Sequence, residues 1–138
     1  MASRNKRRLY LTLGLAILAL AVGGVAQAFS ANRAEAPIQK KNGSCGADIG
    51  NKAIGEATFN RSGNTLTVKV KMTRAPNTTY YVTLYNADSC YPIKFLGKFK
   101  VSGGTGSKTG TADVTGYSSF FVDVADSVNN NDSTIVSL

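Results

Sequence analysis

The segment TLTVKVKM at residues 65–72 alternates polar and apolar side chains at every step. Successive side chains of a β-strand point to opposite faces, so its Leu, Val and Met are predicted to face a core and its Lys and Thr to face water. No stretch after residue 28 shows the 3.6-residue period of an amphipathic helix. The chain is therefore predicted to fold as an all-β protein.

Seven β-rich runs of this kind, separated by turn residues, follow one another along the chain. They are residues 53–59, 65–72, 79–85, 93–101, 109–114, 119–125 and 133–138. Seven short strands in about 100 residues predict a small antiparallel β-sandwich of two packed sheets, immunoglobulin-like in architecture. The chain has no Trp, so it lacks the core tryptophan that marks true antibody domains.

The first 28 residues have the order of a secretory signal. Basic residues within the first eight precede the apolar run 9–22, and Ala26-Gln27-Ala28 supplies the small residues of a cleavage site. A helical signal peptide over residues 1–28, cleaved before Phe29, predicts a secreted or envelope-associated protein with no membrane association after cleavage. An uncleaved membrane anchor is the alternative, and RRLYL at residues 7–11 partly fits a twin-arginine export signal.

The chain after the signal divides into a tether and one domain. Residues 29–44 mix charged, small and polar side chains without a period and are predicted to form a flexible tether, which leaves 45–138 as the β-sandwich domain. The signal holds four of the sixteen Lys and Arg and none of the eight Asp and Glu, so the formal charge falls from +8 to +4. A mildly basic charge favours solubility and weak attraction to anionic polymers.

Two cysteines, Cys45 and Cys90, are the only ones in the chain. In an exported domain such a pair predicts one disulfide, which closes a loop of about 45 residues. The chain has no His, so a reactive thiol would lack the adjacent base that it usually needs. The spacing also misses a zinc pattern, so no metal site is predicted.

Catalytic and cofactor motifs are not found in the sequence. Without His, and with one Glu among scattered Asp after residue 44, no nucleophile with a base and no carboxylate pair is evident, so a non-enzyme is predicted. GGTGSKTG at 103–110 lacks the GK[ST] ending of a phosphate-binding loop, so no nucleotide or other cofactor is expected. DVADSVNNNDS at 123–133 is interpreted as a solvated turn, with a calcium loop as the alternative.

Lysines alternate with apolar residues in two of the runs. Lys69 and Lys71 share one face of their strand, and Lys94, Lys98 and Lys100 share one face of theirs, while Phe95, Phe99 and Val101 are predicted to continue the core. Tyr81 and Tyr85 are expected on the same wet side, where aromatic planes beside cations suit the binding of sugars or nucleic acids. The alternative is an ordinary solvated face whose lysines deter edge pairing. The candidate binding face therefore comprises Lys69, Lys71, Tyr81, Tyr85, Lys98 and Lys100.

Two functional hypotheses follow from these residues. The first is an exported, non-enzymatic module of the envelope or medium that is structural, adhesive or associated with polyanions. The second is a small secreted inhibitor or ligand-binding protein acting through the disulfide-braced loop 86–92, where Asp88, Tyr91 and Pro92 are the candidate contacts. The expected partner is an anionic envelope polymer or another extracellular protein. Four N-x-[ST] triplets, beginning at Asn42, Asn60, Asn77 and Asn131, leave glycosylation open.

Overall fold

A computed structural model describes residues 32–41, 45–47 and 52–138 of this chain. The predicted signal peptide at 1–28 lies outside the described residues. The described part contains nine strands: β1 (Arg33–Lys40), β2 (Ala53–Ser62), β3 (Thr65–Met72), β4 (Thr79–Asn86), β5 (Tyr91–Lys100), β6 (Gly106–Asp113), β7 (Ser119–Ala125), β8 (Asn130–Ser133) and β9 (Val136–Ser137). The part of the chain that the structure describes contains no helix that could span a membrane.

The strands form one nearly closed antiparallel sheet. Their hydrogen-bonded order is β5-β4-β7-β8-β1-β2-β3-β6, and β9 pairs with β7. The first and last strands of this path lie against each other, since Lys94 Nζ of β5 donates to the carbonyl oxygen of Thr111 on β6 at 2.9 Å. The prediction of an all-β antiparallel fold is confirmed. The prediction of seven strands in two separate sheets differs from this single path of nine.

The core fills the inside of the curved sheet. On β3, Leu66, Val68, Val70 and Met72 are all buried, and the two lysines between them are exposed, which confirms the predicted alternation. The inner positions of neighbouring strands complete the core with Phe59, Tyr80, Leu84 and Phe120. Burial of these side chains is the main favourable term in the folding of the domain.

The predicted tether contains a strand. Residues 33–40 of the segment 29–44 form β1, which pairs with β2 over most of its length and with β8 at its end. Ala36 and Ile38 are buried in the core, while Glu35 and Pro37 are exposed. The sequence signal for this strand is weak, because small Ala side chains contribute little apolar character and Pro is depleted in strands. Here Pro37 pairs with Glu56 of β2.

The predicted solvated turn at 123–133 contains the end of β7 and the strand β8. Asn131 and Asp132 are buried between β7 and β1, and the Asn131 amide donates to the carbonyl oxygen of Val124 at 3.0 Å. Only Asp126 to Asn129 remains a turn, in which the Asp126 carboxylate accepts from the backbone N–H groups of Val128 and Asn129. The buried Asn131 and Ser133 side chains can occupy this strand because the backbone of β7 bonds to both, through the Val124 carbonyl oxygen and the Val122 N–H group.

A β-bulge in β5 reverses the predicted alternation. Val82 of β4 pairs with Gly97 and Thr83 pairs with Phe95, so Leu96 is the additional residue. The prediction for Phe99 and Val101 is confirmed, because both are buried, but Phe95 is exposed rather than part of the core. Lys94 likewise does not share the face of Lys98 and Lys100, since it pairs with the buried Leu84 and reaches across to β6. A bulge places two residues opposite one, which turns every side chain beyond it to the other face.

Candidate functional site

The predicted disulfide is confirmed. Cys45 and Cys90 are bonded, with their Cα atoms 5.8 Å apart. The bond ties the segment after β1 to the turn between β4 and β5, and Ala47 N–H donates to the carbonyl oxygen of Ser133 at 3.0 Å. Residues 45–47 are thus held to the β4–β5 turn by the disulfide and to β8 by a backbone hydrogen bond.

The turn beside the disulfide carries the three predicted loop contacts. Asp88, Tyr91 and Pro92 are all exposed, Tyr91 to 71%. Inside the turn, the Asn86 amide donates to Ser89 Oγ at 2.7 Å and Asn86 Oδ1 accepts from the Asp88 N–H. Cys90 has φ 55°, a conformation that side chains other than Gly, Asn and Asp seldom adopt, so the disulfide and this turn geometry brace each other.

Lys69 and Lys71 project from the outer face of β3. Lys69 pairs with Thr58 of β2 and Thr109 of β6, and Lys71 pairs with Glu56 and Ser107. Both lysines are exposed. The cross-strand neighbours of the two lysines on β6 are therefore hydroxyl residues, and the neighbour of Lys71 on β2 is Glu56.

Two shallow cavities meet at Lys71. One of about 430 Å³ lies at the ends of β2 and β3, and the other of about 370 Å³ lies between β3 and β6. The first is lined by Ala53, Gly55, Glu56, Lys71, Thr73 and Arg74, and the second by Lys69, Lys71, Met72, Thr105, Gly106 and Ser107. Three cations and three hydroxyl groups against a single carboxylate make this region electropositive and rich in hydrogen-bond donors.

Lys98 and Lys100 lie on the strand at the other side of β6. Both are exposed and pair with Tyr81 and Thr79 of β4. β5 reaches β6 closely, because a Cβ atom built on Gly106 would lie 2.7 Å from the carbonyl oxygen of Lys100. The four predicted lysines therefore stand on the two strands that flank β6, with Ser107 and Thr109 exposed between them. We call the set Lys69, Lys71, Arg74, Lys98 and Lys100 the basic face.

The two tyrosines predicted for this surface differ in how much of each ring is exposed to solvent. Tyr81 is 49% exposed and its ring centroid lies 6.2 Å from that of Phe95. Tyr85 is half-buried, because its ring stacks on the buried Phe121 with centroids 5.0 Å apart. Tyr81 thus adjoins the basic face through its pairing with Lys98, whereas one side of the Tyr85 ring is already covered.

A carboxyl pair that sequence reasoning missed lies on β7 and β8, where Asp123 is also the register partner of Thr83 on β4. Asp123 of β7 and Asp132 of β8 are register partners, and Gln39 of β1 is the register partner of Asp132. Asp132 is completely buried, and Lys41 Nζ lies 3.5 Å from its Oδ2. Neither the Asp132 oxygens nor Gln39 Oε1 has a hydrogen-bond partner when both carboxyls are ionised. One proton on Asp123 would give Asp132 a donor and leave a single buried charge facing Lys41.

The pKa of Asp123 follows from this arrangement. Burial, a hydrogen bond with Asp132 and the negative charge of Asp132 raise the pKa to about 7, against the opposing charge of Lys41. Asp126 behaves in the opposite way, since the N–H groups of Asn129 and Val128 lower the pKa of its carboxyl to about 2. The sequence signal for the pair is weak, because the two residues lie nine positions apart and only the β7–β8 ladder brings them together.

Metal-binding and comparative observations add no further site. No group of three or more His, Cys, Asp or Glu side chains that could hold a metal occurs within 32–41, 45–47 and 52–138. Comparison with protein-family models, with curated proteins and with solved structures finds no match. The fold and the residues define a disulfide-bonded, all-β antiparallel domain with an exposed basic face.

Proposed function

We propose that this protein is an exported, non-enzymatic domain that associates with anionic polymers through the basic face. The observation that carries the proposal is the position of Lys71 between two cavities, where Lys69, Arg74 and the hydroxyl groups of Thr73, Thr105 and Ser107 also converge. Sulfate, phosphate and carboxylate groups accept hydrogen bonds from both ammonium and hydroxyl donors. A concave surface allows one anionic group to accept hydrogen bonds from several of these ammonium and hydroxyl donors at once.

Export is part of this proposal. The order of residues 1–28 supports a secretory signal, and a disulfide persists in oxidising compartments such as the periplasm or the medium. We expect the exported protein to begin at Phe29. Intact-mass measurement of the protein recovered outside the cytoplasm checks this, and a mass that includes residues 1–28 would favour the uncleaved anchor.

The non-enzymatic part is supported by the burial of Asp132, one member of the carboxyl pair. An acid and base pair must reach the bond that it cleaves, but Asp132 has no exposed surface and Gln39 beside it is 5% exposed. The pair is therefore assigned a structural role. The basic face, in contrast, is open to solvent along its whole length.

The test is retention on heparin as a function of salt. Changing Lys69, Lys71, Lys98 and Lys100 to Gln should abolish retention, and the same four positions changed to Arg should keep it. For the parent, log affinity should fall linearly with log salt concentration, and the slope should decrease by about one for each lysine removed from a contact. Because all four side chains are exposed, stability should change by roughly 0.5 kcal/mol or less per site.

A charge-matched control separates the face from net charge. The Lys71→Gln, Lys100→Gln variant loses two charges from the two strands that flank β6. The Arg33→Gln, Lys40→Gln variant loses two charges from exposed positions of β1. Retention that falls equally in both variants would show that overall charge, and not the basic face, attracts the polymer.

The disulfide-braced loop favours a second candidate, a small inhibitor of a secreted hydrolase. Tyr91 follows the bonded Cys90 directly and is 71% exposed, so a rigid turn presents an aromatic side chain. A rigid loop loses little conformational entropy on entering a cleft. A soluble monomer that inhibits a purified secreted hydrolase, and loses this inhibition on Tyr91→Ala, would support this candidate over polymer association.

A further inference from the structure

Two exposed aromatic rings lie side by side on the outer face of β4 and β5. Phe95 is 56% exposed and Tyr81 49%, with ring centroids 6.2 Å apart and ring planes tilted by 30°. The bulge at Leu96 turns Phe95 outwards, because the unbulged alternation would place it in the core. Bulges often re-aim a side chain near a functional site. The paired rings therefore form an apolar platform on the outer face of these two strands.

This aromatic platform, defined as Tyr81 and Phe95, continues into the basic face. Tyr81 pairs directly with Lys98, and Lys98 and Lys100 lie further along β5 from Phe95. Thr79 and Thr83 occupy the neighbouring outer positions of β4 and pair with Lys100 and Phe95. Rings, ammonium groups and hydroxyl groups thus stand together on one pair of strands.

We propose that the anionic polymer bound by this protein is a polysaccharide, with a sugar ring packed on Tyr81 and Phe95 and its acidic groups on Lys98 and Lys100. This inference rests on the proposed function and names its ligand class. The C–H face of a sugar ring is apolar with slight positive charge, so it complements the negative face of an aromatic ring. Sugar hydroxyl groups exchange hydrogen bonds with Thr79 and Thr83, which act as both donors and acceptors.

A polysaccharide fits these residues better than a single-stranded nucleic acid. Nucleic-acid surfaces favour Arg, whose planar fork matches phosphate, but Arg74 is the one arginine of the basic face and the remaining cations are lysines. The disulfide also favours an oxidising compartment, outside the cytoplasm where nucleic acids are concentrated. Nucleic acid remains a measurable alternative, because bases also stack on aromatic rings.

The test compares three polyanions that differ in their rings. Heparin has acidic groups and sugar rings, inorganic polyphosphate has charge without rings, and single-stranded poly(dT) has charge and bases. The Tyr81→Thr, Phe95→Thr variant removes the platform while keeping residues that suit a strand. Tyr117→Thr, at an exposed aromatic residue outside this face, is the matched control. Thermal unfolding verifies folding, and Phe95→Thr alone replaces the double variant should that variant unfold.

The double variant should bind heparin roughly tenfold more weakly, corresponding to about 1.4 kcal/mol, and should bind polyphosphate within about twofold of the parent. Tyr117→Thr should match the parent on every probe. Unchanged heparin affinity in the double variant would overturn the sugar platform and leave the basic face standing. A larger loss for poly(dT) than for heparin would assign the rings to nucleic acid instead. A parent that binds none of the three would refute the proposed function itself.

Discussion

The Asp123→Asn variant should be more stable than the parent at neutral and alkaline pH. Asp123 has a pKa of about 7 in the folded protein and 3.8 as its ordinary value. Between these values the folded state keeps a proton that the unfolded state loses, so the free energy of unfolding decreases as pH rises. The stabilisation from the shared proton is complete below the ordinary pKa and is lost as pH rises through about 7.

The size of the effect follows from the same two values. They span about three pH units, and at 1.36 kcal/mol for each unit the upper limit is about 4 kcal/mol. Asp123 is only partly buried, so screening by solvent reduces this to about 1–3 kcal/mol. Asparagine cannot ionise, and its amide can donate to Asp132 in place of the shared proton. The variant should therefore exceed the parent by this amount at about pH 8, by about a third of it at about pH 5, and match the parent only below about pH 4.

Urea unfolding followed by circular dichroism at about pH 5, 6, 7 and 8 measures the difference. The chain has no His, so few other side chains titrate in this interval. Asp88→Asn, at an exposed loop position, is the control and should retain the slope of the parent. A parent whose unfolding free energy is the same at both ends of the range would refute the shared-proton arrangement, as would an Asp123→Asn variant with the parent's slope.

Three other measurements test the forces that hold the sheet together. Replacing Cys45 and Cys90 with Ser should lower the unfolding free energy by about 4 kcal/mol, as the chain-entropy model gives for a loop of this length, and an unchanged urea midpoint would contradict it. Arg61→Lys should lower the unfolding free energy by about 2 kcal/mol, because a single ammonium group cannot reach all three carbonyl oxygens, of Gly63, Tyr117 and Leu138, to which the guanidinium group donates. A thermal midpoint equal to that of the parent would count against this role of Arg61. Gly97→Ala should lower the unfolding free energy by about 1–3 kcal/mol, because the Gly97 φ is 117° and the new Cβ atom would lie 2.7 Å from Lys108 Cε. Adding Lys108→Ala removes the contact but not the backbone strain, so it should recover only part of the lost stability. Full recovery would show that backbone strain is absent.

Local patterns in the sequence were sufficient to predict side-chain burial wherever the strand is regular and its pairing does not change the alternation. The alternation in β3 predicted which side chains are buried, because an uninterrupted strand has a period of two whatever its neighbours are. The disulfide was equally predictable, since an exported domain with two cysteines and no His offers one obvious pairing. The predicted binding face follows from the same strand geometry, and the basic face remains a proposal.

Predictions were wrong where pairing between distant segments decides the outcome. The alternation of β1 was hidden in small side chains, and the polar β8 becomes a strand because β7 and β1 satisfy its hydrogen bonds from both sides. The exposure of Phe95 depends on one additional residue in β5 relative to β4, which no property of β5 alone reveals.

What the sequence by itself determined is the strand-forming character of the chain, its disulfide and the position of its charges along each strand. Tertiary structure alone decided that the strands close into one sheet, that Tyr81 and Phe95 meet beside Lys98, and that Asp123 and Asp132 lie side by side on β7 and β8. The physical reason is that side-chain direction within a strand is set by local geometry, whereas register and strand order are set by hydrogen bonds between residues far apart in the chain.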